Sequence, residues 1–368
     1  MNEPTGNWLD PVTPIEGSDA AMMVARCEAM LARLSGSSLL ITGAAGLIGR
    51  YLVRMVSYAN RHQLSVPCRV SALDTAYSGG PYLPADEPGI EYVYGDVRKP
   101  ADIRPAEYVI HGASIASPLQ YRSRPIETME TNFLGTRNVL AVACQRSRSA
   151  VALSTSEVYG DAAAEMIPTP ETYRGRVNQY GPRACYVESK RLAETLCFEY
   201  ERLHATPVRI VRPFNVYGPG QALDDGRIIP DIMGSLLRGS EIVLYGDGKA
   251  TRSFCYVADA VEAIFTVLLS DHAEGAYNVG NQDGEVSIEQ LAKIAIEASG
   301  RDVPVRYARS TDEHYLTDSP TRRCPDTGRI RDGLGWAPRT STRQGLERTY
   351  AHYAVFTADL ARSGARDG

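Results

Sequence analysis

Tyr186 and Lys190 stand four residues apart in the stretch Ala184-Cys-Tyr-Val-Glu-Ser-Lys190. On a helix this spacing places both side chains on one face, about 6 Å apart along the axis. A phenol is a poor base at neutral pH because its pKa is ~10. A lysine ammonium beside it stabilises the phenolate. The pair therefore predicts a base that can remove the proton of an alcohol.

A glycine-rich loop, Gly43-Ala-Ala-Gly-Leu-Ile-Gly49, follows an apolar strand candidate and opens a helix candidate. Glycines in this spacing allow a tight turn, a close approach of the backbone to a pyrophosphate, and close packing of helix on strand. The helix N-terminus adds amide donors and a positive dipole end. The sequence therefore predicts a dinucleotide site. The loop residues expected to contact the dinucleotide are Gly43, Gly46, Leu47, Ile48 and Gly49.

Asp74 ends the second strand candidate, Val70-Ser-Ala-Leu-Asp74. A carboxylate there accepts hydrogen bonds from ribose hydroxyls and repels a 2′-phosphate, so it favours NAD over NADP. A simple turn aspartate is the alternative. Asp96 and Val97 end the third strand candidate, where we expect an adenine contact. With NAD in place, the nicotinamide would accept a hydride while Tyr186 takes the proton.

Strand and helix candidates alternate from residue 38 to about 212, which predicts a parallel sheet wrapped by helices. The strand candidates are 38–42, 69–73, 91–94, 107–111, 150–154 and 208–212, and the helices between them lie near 46–60, 125–146 and 182–204. We therefore predict an α/β fold, a Rossmann-type doubly wound parallel sheet with a smaller C-terminal substrate-binding domain.

The chain divides into four predicted parts. They are an N-terminal extension (1–36) with one helix at 20–34, an NAD-binding domain (37–212) that also receives about 250–270, a substrate-binding domain (213–350), and a weakly ordered tail (351–368). Two further helices are expected in the substrate-binding domain, near 228–238 and 287–299.

The composition excludes several classes of function. The 368 residues carry a net charge of −5, so no basic excess points to nucleic acid. The seven cysteines form no C-x-x-C pair, which predicts no metal site and favours the cytoplasm. No apolar run approaches the ~20 residues that cross a bilayer. The first 19 residues lack the basic start and apolar core of a secretory signal. We expect no membrane partner.

With these residues identified, the chain resembles the extended short-chain dehydrogenase/reductase superfamily over about residues 37–350. Within it, the chain is most similar to the UDP-glucuronate decarboxylase family. Three stretches carry this resemblance, namely His111-Gly-Ala-Ser-Ile-Ala-Ser-Pro118, Ser154-Thr-Ser-Glu-Val-Tyr-Gly-Asp161 and Gly181-Pro-Arg-Ala-Cys-Tyr-Val-Glu-Ser-Lys-Arg-Leu-Ala-Glu-Thr195. The resemblance implies oxidation at the sugar C4. The resulting C4 ketone is β to the C6 carboxylate, and a β-keto acid loses CO₂ readily.

Ser156 distinguishes the branches of this superfamily. Related 4,6-dehydratases resemble S-T-D-E-V-Y-G, where an Asp-Glu pair drives the loss of water, whereas this chain has Thr155-Ser-Glu157. Serine cannot protonate a departing hydroxyl group, so the motif points to decarboxylation. The resemblance implies that Thr155 hydrogen-bonds the C4 oxygen. It also implies that Glu157 and Arg323 orient the acid and the protonation at C5.

The resemblance further implies a nucleotide-sugar substrate. The matched residues are Ser117, Tyr121, Asn132, Asn215, Arg227, Tyr245, Arg252 and Arg323. Arg323, in Arg322-Arg-Cys-Pro-Asp326, matches the arginine that handles the sugar carboxylate, and an exposed loop arginine is the alternative. Arg252 matches the arginine that grips the diphosphate, which suits a bidentate guanidinium. Helix packing explains Asn132 nearly as well as a role behind the active site.

Two segments depart from the decarboxylase pattern, Tyr217-Gly-Pro-Gly-Gln221 and Arg227-Ile-Ile-Pro230. They keep a nucleotide-sugar 4-epimerase open as the alternative. A non-catalytic NAD-binding sensor or scaffold is the alternative of another class, although such proteins commonly lose the Tyr or the Lys. The family resemblance also implies a homodimer, in which the helices near 125–146 and 182–204 pair.

Overall fold

The computed structural model describes residues 13–75, 87–310 and 317–364, with side chains described as far as Val355. The strands are β1 Ser38–Thr42, β2 Arg69–Asp74, β3 Ile90–Tyr94, β4 Tyr108–His111, β5 Ser149–Leu153, β6 Val208–Pro213, β7 Val216–Tyr217, β8 Ile242–Tyr245, β9 Thr251–Ser253, β10 Cys255–Tyr256, β11 Ala276–Val279, β12 Glu285–Ser287, β13 Val305–Ala308 and β14 Arg322–Arg323. Seven of them form one parallel sheet in the order β11-β6-β5-β4-β1-β2-β3.

Helices cover both faces of this sheet. They are α1 Pro14–Arg26, α2 Glu28–Leu31, α3 Leu47–His62, α4 Pro118–Ser123, α5 Pro125–Glu130, α6 Thr136–Arg146, α7 Ala184–His204, α8 Ile228–Arg238, α9 Val257–Leu269, α10 Ile288–Ser299, α11 Gly328–Leu334 and α12 Thr342–Gly364. Side chains alternate along a strand. Leu39 and Ile41 of β1 therefore join the core that contains α3 and α9. Leu40 joins the core that contains α6 and α7. The predicted doubly wound α/β fold is confirmed.

The predicted elements agree closely with the observed ones. Each of the six predicted strands lies within one residue of an observed strand at both ends, and the helices at 46–60, 182–204, 228–238 and 287–299 lie within two residues. The helix predicted at 125–146 is interrupted by a π-helical turn at Thr131–Gly135. The seventh strand, β11, pairs with β6 after α9 returns the chain to the sheet.

Short strands outside the main sheet bring distant segments together. They form a β7/β10 pair, a β8/β13 pair and a three-stranded β12-β9-β14 sheet. In the last of these, β14 runs parallel to β9, and the register places Arg323 beside Arg252. Two arginines that are far apart in sequence thus become neighbours.

The N-terminal helix begins at Pro14, not near residue 20 as predicted. The reason is a capping box: the Thr13 side chain accepts from the Glu16 amide, and the Glu16 carboxylate accepts from the Thr13 amide. Met23 and Leu31 are fully buried in the main core. This part of the extension therefore packs as core, and residues 1–12 lie outside the described residues.

The last helix, α12, runs from Thr342 to Gly364, and the weak order expected for 351–368 stays a prediction. Its side chains hold it to the body of the protein. His352 Nδ1 lies 2.9 Å from Thr13 Oγ1, and the Tyr353 hydroxyl donates to the Gln221 carbonyl oxygen. Such long-range contacts cannot be read from the local sequence.

The described residues contain neither a membrane-spanning helix nor a metal-binding cluster. No helix in these ranges combines the length and the apolar character that a membrane span requires. The same ranges hold no cluster of three or more His, Cys, Asp or Glu side chains that could bind a metal ion.

Candidate active site

The glycine-rich loop joins β1 to α3 at the carboxyl edge of the sheet. Gly43 has a φ of +75°, and a Cβ there would lie 2.7 Å from backbone atoms of Gly112 and Ala113. A Cβ on Gly49 would overlap the carbonyl oxygen of Gly43. Among the described atoms, a Cβ on Gly46 would meet only that same oxygen, at 3.4 Å. The fold therefore requires glycine at positions 43 and 49, but not at 46.

The space in front of Gly46 fits the pyrophosphate of a dinucleotide. Helix α3 begins at Leu47, and the amides of its first turn, which include Ile48 and Gly49, have no acceptor within the helix. These donors and the positive end of the helix dipole favour a phosphate. The loop thus has the shape and the donors that the sequence predicted for binding NAD.

Replacing Gly46 by valine is expected to weaken NAD binding by about 10- to 100-fold. The new side chain would displace phosphate from charge-assisted hydrogen bonds that contribute about 1.5–3 kcal/mol each. Calorimetric titration with NAD measures the effect, and the melting temperature without NAD should stay near that of the wild type. Gly49→Ala is the matched control, expected to lower that melting temperature through its backbone clash. An unchanged affinity in the Gly46 variant would contradict the assignment.

Asp74 ends β2 and Asp96 follows β3, as predicted. Both carboxylates already have hydrogen-bond partners within the protein. Asp74 Oδ2 accepts a hydrogen bond from the Ala45 amide at 2.9 Å, so this carboxylate also holds the glycine loop. Asp96 accepts two hydrogen bonds from the Arg98 guanidinium at Oδ2, 2.9 and 2.6 Å. An adenine contact from Asp96 would compete with this pair. Val97, the next residue, is buried. The cofactor roles of all three stay predictions.

Tyr186 lies on α7 with its ring buried, and the Thr155 side chain is close enough to act on the pKa of its hydroxyl. The ring stacks on Tyr121, with centroids 5.0 Å apart and planes inclined by 6°. Burial raises the pKa of Tyr186, and Thr155 acts in the opposite direction. The phenol is therefore neutral at neutral pH until additional positive charge stabilises the phenolate.

Lys190 lies one turn further along α7 and is buried as well. Its ammonium donates to the Leu153 carbonyl oxygen at 2.9 Å, at the end of β5. Burial lowers the pKa of Lys190 to about 8, with Cys197 and Glu194 acting in the opposite direction. The lysine thus remains largely cationic at neutral pH. Tyr186 and Lys190 therefore lie one turn apart on α7, and Thr155 acts on the pKa of Tyr186. Their catalytic roles stay predictions.

Glu157 is held as a carboxylate by two arginines. It forms ion pairs with Arg323 and with Arg183, the latter at 3.5 Å. Burial alone would raise the pKa of Glu157, but the charges of Arg323 and Arg183 outweigh it and hold the value at about 2. No catalytic or binding role was predicted for Arg183 from the sequence. The available signal was its position three residues before Tyr186, which places both on one side of the helix start.

The arginines next to Glu157 give this region an excess of positive charge. Arg252 is also close, since the register of β9 and β14 places it beside Arg323. Burial and the Arg323 charge lower the pKa of Arg252 to about 10. Three guanidiniums therefore surround one carboxylate, which suits an anionic ligand.

Arg323 has one terminal nitrogen without a hydrogen-bond partner. Its Nη1 pairs with Glu157, whereas its buried Nη2 finds no acceptor among the described residues. A buried donor without an acceptor destabilises the folded protein by about 1–3 kcal/mol. Native proteins rarely keep such groups without a functional reason. The arginine is therefore not the exposed loop residue that the alternative proposed, and its Nη2 is available to a carboxylate ligand.

Four further residues are predicted to bind the substrate: Ser117, Arg227, Tyr245 and Tyr121. Ser117 and Arg227 come together, since Ser117 Oγ donates to the Asp225 carbonyl oxygen at 3.1 Å and Arg227 pairs with the Asp225 carboxylate at 2.9 Å. Arg227 also acts on the pKa of Tyr186. Tyr245 lies further out, partly exposed at the end of β8. Tyr121 is nearly buried against Tyr186. Their roles stay predictions.

Two predicted asparagines use their side chains within the protein. Asn132 is 1% exposed; its amide donates to Ser189 Oγ at 2.9 Å, and its oxygen accepts from Ser114 at 2.7 Å. It ties the π-helical turn to α7, as helix packing predicted, and its role towards the substrate stays a prediction. Asn215 has a φ of +41°, and its amide donates to the Ser253 carbonyl oxygen at 2.9 Å.

Several known proteins are similar to this chain in sequence. The model of the NAD dependent epimerase/dehydratase family matches residues 39–280. UDP-glucuronic acid decarboxylase 6 of Arabidopsis thaliana is 36% identical over 315 residues, which covers 85% of this chain and 87% of the relative. UDP-glucuronic acid decarboxylase 1 of Xenopus tropicalis is 35% identical, covering 86% of this chain and 71% of the relative.

Solved structures share the fold. The dTDP-glucose 4,6-dehydratase DesIV of Streptomyces venezuelae, with NAD and TYD bound, has a TM-score of 0.73 at 28% identity and covers 86% of this chain and 96% of its own. The UDP-glucose 4-epimerase of Thermus thermophilus, in complex with NAD, has a TM-score of 0.73 at 26% identity and covers 86% and 98%.

Proposed function

The chain belongs to the NAD dependent epimerase/dehydratase family, and from this we propose that it is an NAD-dependent decarboxylase of a nucleotide-linked glucuronic acid. The substrate is UDP- or dTDP-glucuronate. The product is the nucleotide-pentose, either xylose or its 4-keto form. Relatives that are 33–36% identical over most of this chain are named as UDP-glucuronic acid decarboxylases, which supports the choice of substrate.

The observation that carries this proposal is the unpartnered Nη2 of Arg323. A sugar carboxylate is the group that a buried guanidinium nitrogen binds best, through a short charge-assisted hydrogen bond. Arg183 and Arg252 add further positive charge for an anionic substrate. The diphosphate of any nucleotide sugar accounts for Arg252, so the support for a sugar carboxylate comes from the buried Nη2 of Arg323.

Tyr186 and its neighbours begin the reaction. NAD, when bound, supplies a hydride acceptor at the sugar C4 and returns the hydride to C4 at the end. Tyr186 takes the proton of the C4 hydroxyl, and Lys190 supports the phenolate by its positive charge. Thr155, close to the Tyr186 hydroxyl, donates to the C4 oxygen as charge develops there.

The carboxylate-handling residues then direct the loss of CO₂. Once C4 is a ketone, the C5–C6 bond breaks and its electron pair flows into an enolate. Arg323 orients the departing carboxylate, and the enolate takes up a proton from water at C5. When the hydride returns to C4, Tyr186 gives its proton back to the C4 oxygen. Glu157 stays ionised because two arginines hold its pKa at about 2. Ser156 cannot supply the proton that loss of a hydroxyl requires. The residues therefore favour decarboxylation over dehydration.

A nucleotide-sugar 4-epimerase is the second candidate. The loop Tyr217–Gln221 departs from the decarboxylase pattern, and in the structure its Gly220 has a φ of +81° and its carbonyl oxygen accepts from Arg50. The loop therefore connects the cofactor helix α3 with the substrate side of the protein. This feature concerns how the sugar is held, and the buried arginine cluster remains better explained by a decarboxylase.

Mass spectrometry of the products separates these functions. The enzyme is incubated with NAD and either UDP-glucuronate or dTDP-glucuronate. We expect either a nucleotide-pentose lighter by one CO₂ or a 4-keto-pentose lighter by one CO₂ and two hydrogens, the latter with one NADH formed per product. The relative rates give the base preference. A product of unchanged mass whose NMR spectrum shows an inverted C4 would identify an epimerase instead. No product with either substrate would favour the non-catalytic alternative.

We also propose that the protein is a homodimer, paired through α5 and α7. Both helices expose apolar side chains, Ile126 and Met129 on α5 and Leu192 and Leu203 on α7. Leu192 and Leu203 are about three helical turns apart and share one side of α7. Exposed apolar clusters of this kind mark association surfaces. A cytoplasmic location stays a prediction from the sequence.

The Leu192→Asp variant is expected to raise the dimer dissociation constant by about 100-fold or more. Each copy would lose about 1.5–3 kcal/mol of apolar burial, and a two-fold interface carries the change twice. Light scattering after gel filtration measures the mass in solution. Val66→Asp is the control, because Val66 is exposed but lies away from both helices. A monomeric wild type would contradict the proposed dimer.

A further inference from the structure

A small cavity lies next to Lys190 in the protein interior. Its volume is about 10 Å³, which is room for a single water molecule. The polar residues Ser154, Lys190 and Glu194 are among those that line it, together with His111, whose two ring nitrogens are already bonded to Thr42 and Thr136. An ordered buried water makes two to four hydrogen bonds. The proposed reaction uses Lys190 but gives no role to Glu194.

Glu194 follows Lys190 by one helical turn, so both side chains lie on the same side of α7. Its carboxylate is fixed in place: Ser154 Oγ donates to Oε1 at 2.5 Å. Arg212 binds it bidentately, with Nε to Oε1 at 2.8 Å and Nη2 to Oε2 at 2.6 Å. The Tyr159 hydroxyl in turn accepts from Arg212 at 2.8 Å. A carboxylate held by this many contacts cannot swing away from the cavity.

Lys190 needs a counter-charge to remain an ammonium. It has three N–H donors, and the protein acceptor it contacts is the Leu153 carbonyl oxygen. A buried cation without a nearby anion loses its proton more readily. Among the residues that line the cavity, Glu194 is the one carboxylic acid.

We propose that Glu194 is a positioning residue of the active site, whose fixed carboxylate keeps the Lys190 ammonium charged through one water molecule in the cavity between them. Ser154 and Arg212 hold the carboxylate in a fixed position beside this water molecule. The inference rests on the proposed function only in that Lys190 assists Tyr186, and it holds whichever sugar the enzyme converts.

The other titratable groups around Lys190 do not replace Glu194. His111 on β4 is neutral, because burial and the Lys190 charge lower its pKa to about 3. Burial raises the pKa of the Cys197 thiol to about 12, so at neutral pH it carries no charge. Burial raises the pKa of Tyr186 also. Arg212, on β6, has its charge matched by Glu194 itself.

The chain contains only four lysines, Lys99, Lys190, Lys249 and Lys293, so the charge state of Lys190 can be measured directly. The other three are exposed. With ¹³C-labelled lysine, NMR titration of the whole protein without substrate should separate the signal of the buried Lys190 from those of the three exposed lysines. Lys190 should titrate near 8. In the Glu194→Gln variant we expect the Lys190 pKa to fall by about 1, the effect of losing one nearby opposite charge.

Glu199→Gln is the matched control, because Glu199 is a partly exposed carboxylate on the same helix, paired with Arg202. It should leave the Lys190 titration unchanged. In Glu194→Gln, the alkaline limb of the activity profile should also move to lower pH, which a purely structural role would not cause. If that variant does not fold, Arg212→Met gives the opposite test: it frees the Glu194 charge and should raise the Lys190 pKa. An unchanged Lys190 pKa in the folded variant overturns the proposal. Because no substrate is present, that outcome is independent of the reaction the enzyme performs.

Discussion

The Tyr186→Phe variant is expected to lower turnover by about 10²- to 10⁴-fold, the contribution of a positioned general base. Phenylalanine keeps the ring and its stacking on Tyr121. It removes the hydroxyl, which is the predicted base and the group on which Thr155 acts. NAD affinity should change little, because the pyrophosphate is bound at the glycine loop. Initial rates with saturating NAD and nucleotide-glucuronate measure the effect.

Tyr121→Phe is the matched control for this variant. It removes a hydroxyl from the neighbouring stacked ring and leaves the predicted base intact. We expect its turnover to remain within about tenfold of the wild type, since neither proton transfer nor C4 stabilisation is assigned to it. If Tyr186→Phe bound NAD and kept full turnover, another base would have to perform the proton transfer.

The Arg323→Gln variant is expected to lower CO₂ release by about 10²- to 10³-fold, the loss typical for removing one donor that stabilises developing charge. Glutamine keeps a polar side chain but removes the cation that pairs with Glu157. The Michaelis constant for the acidic substrate should rise as well, because the carboxylate loses its guanidinium partner. Assays of released CO₂ over a range of substrate concentrations separate the two effects.

The neighbouring Arg322 provides the control for Arg323. Arg322 is exposed and pairs with Glu285 on β12. Arg322→Gln removes the same charge one residue away, and we expect near wild-type CO₂ release. Melting temperatures of both variants show whether the fold is intact. Equal effects of the two substitutions would mean that Arg323 acts only through the general charge of the site.

Most of the fold could be predicted because its signals are local. Apolar runs identify the six predicted strands, and the glycine loop fixes the start of α3. The start of α1 could also have been predicted, since Thr13 and Glu16 have the spacing of a capping box. The course of α12 beyond residue 351 depends on contacts with distant segments, which local sequence does not reveal.

The candidate site could be predicted only in part. Tyr186, Lys190 and Thr155 have recognisable motifs; the first two lie one turn apart on α7, and Thr155 acts on the pKa of Tyr186. The pairing of Arg252 with Arg323 depends on the register of two short strands far apart in sequence. The ion pair of Arg183 depends on the position of the Glu157 carboxylate in the folded protein. Such long-range geometry leaves no periodic pattern in the chain.

A substrate labelled with ¹³C at the C6 carboxylate tests the central claim most directly. The enzyme is incubated with NAD and the labelled nucleotide-glucuronate, and the label is followed by NMR. We expect the label to leave as CO₂ and bicarbonate, in equal amount to an unlabelled nucleotide-pentose or 4-keto-pentose. Label that stays in the nucleotide sugar, as unchanged substrate or as its C4 epimer, would contradict the account.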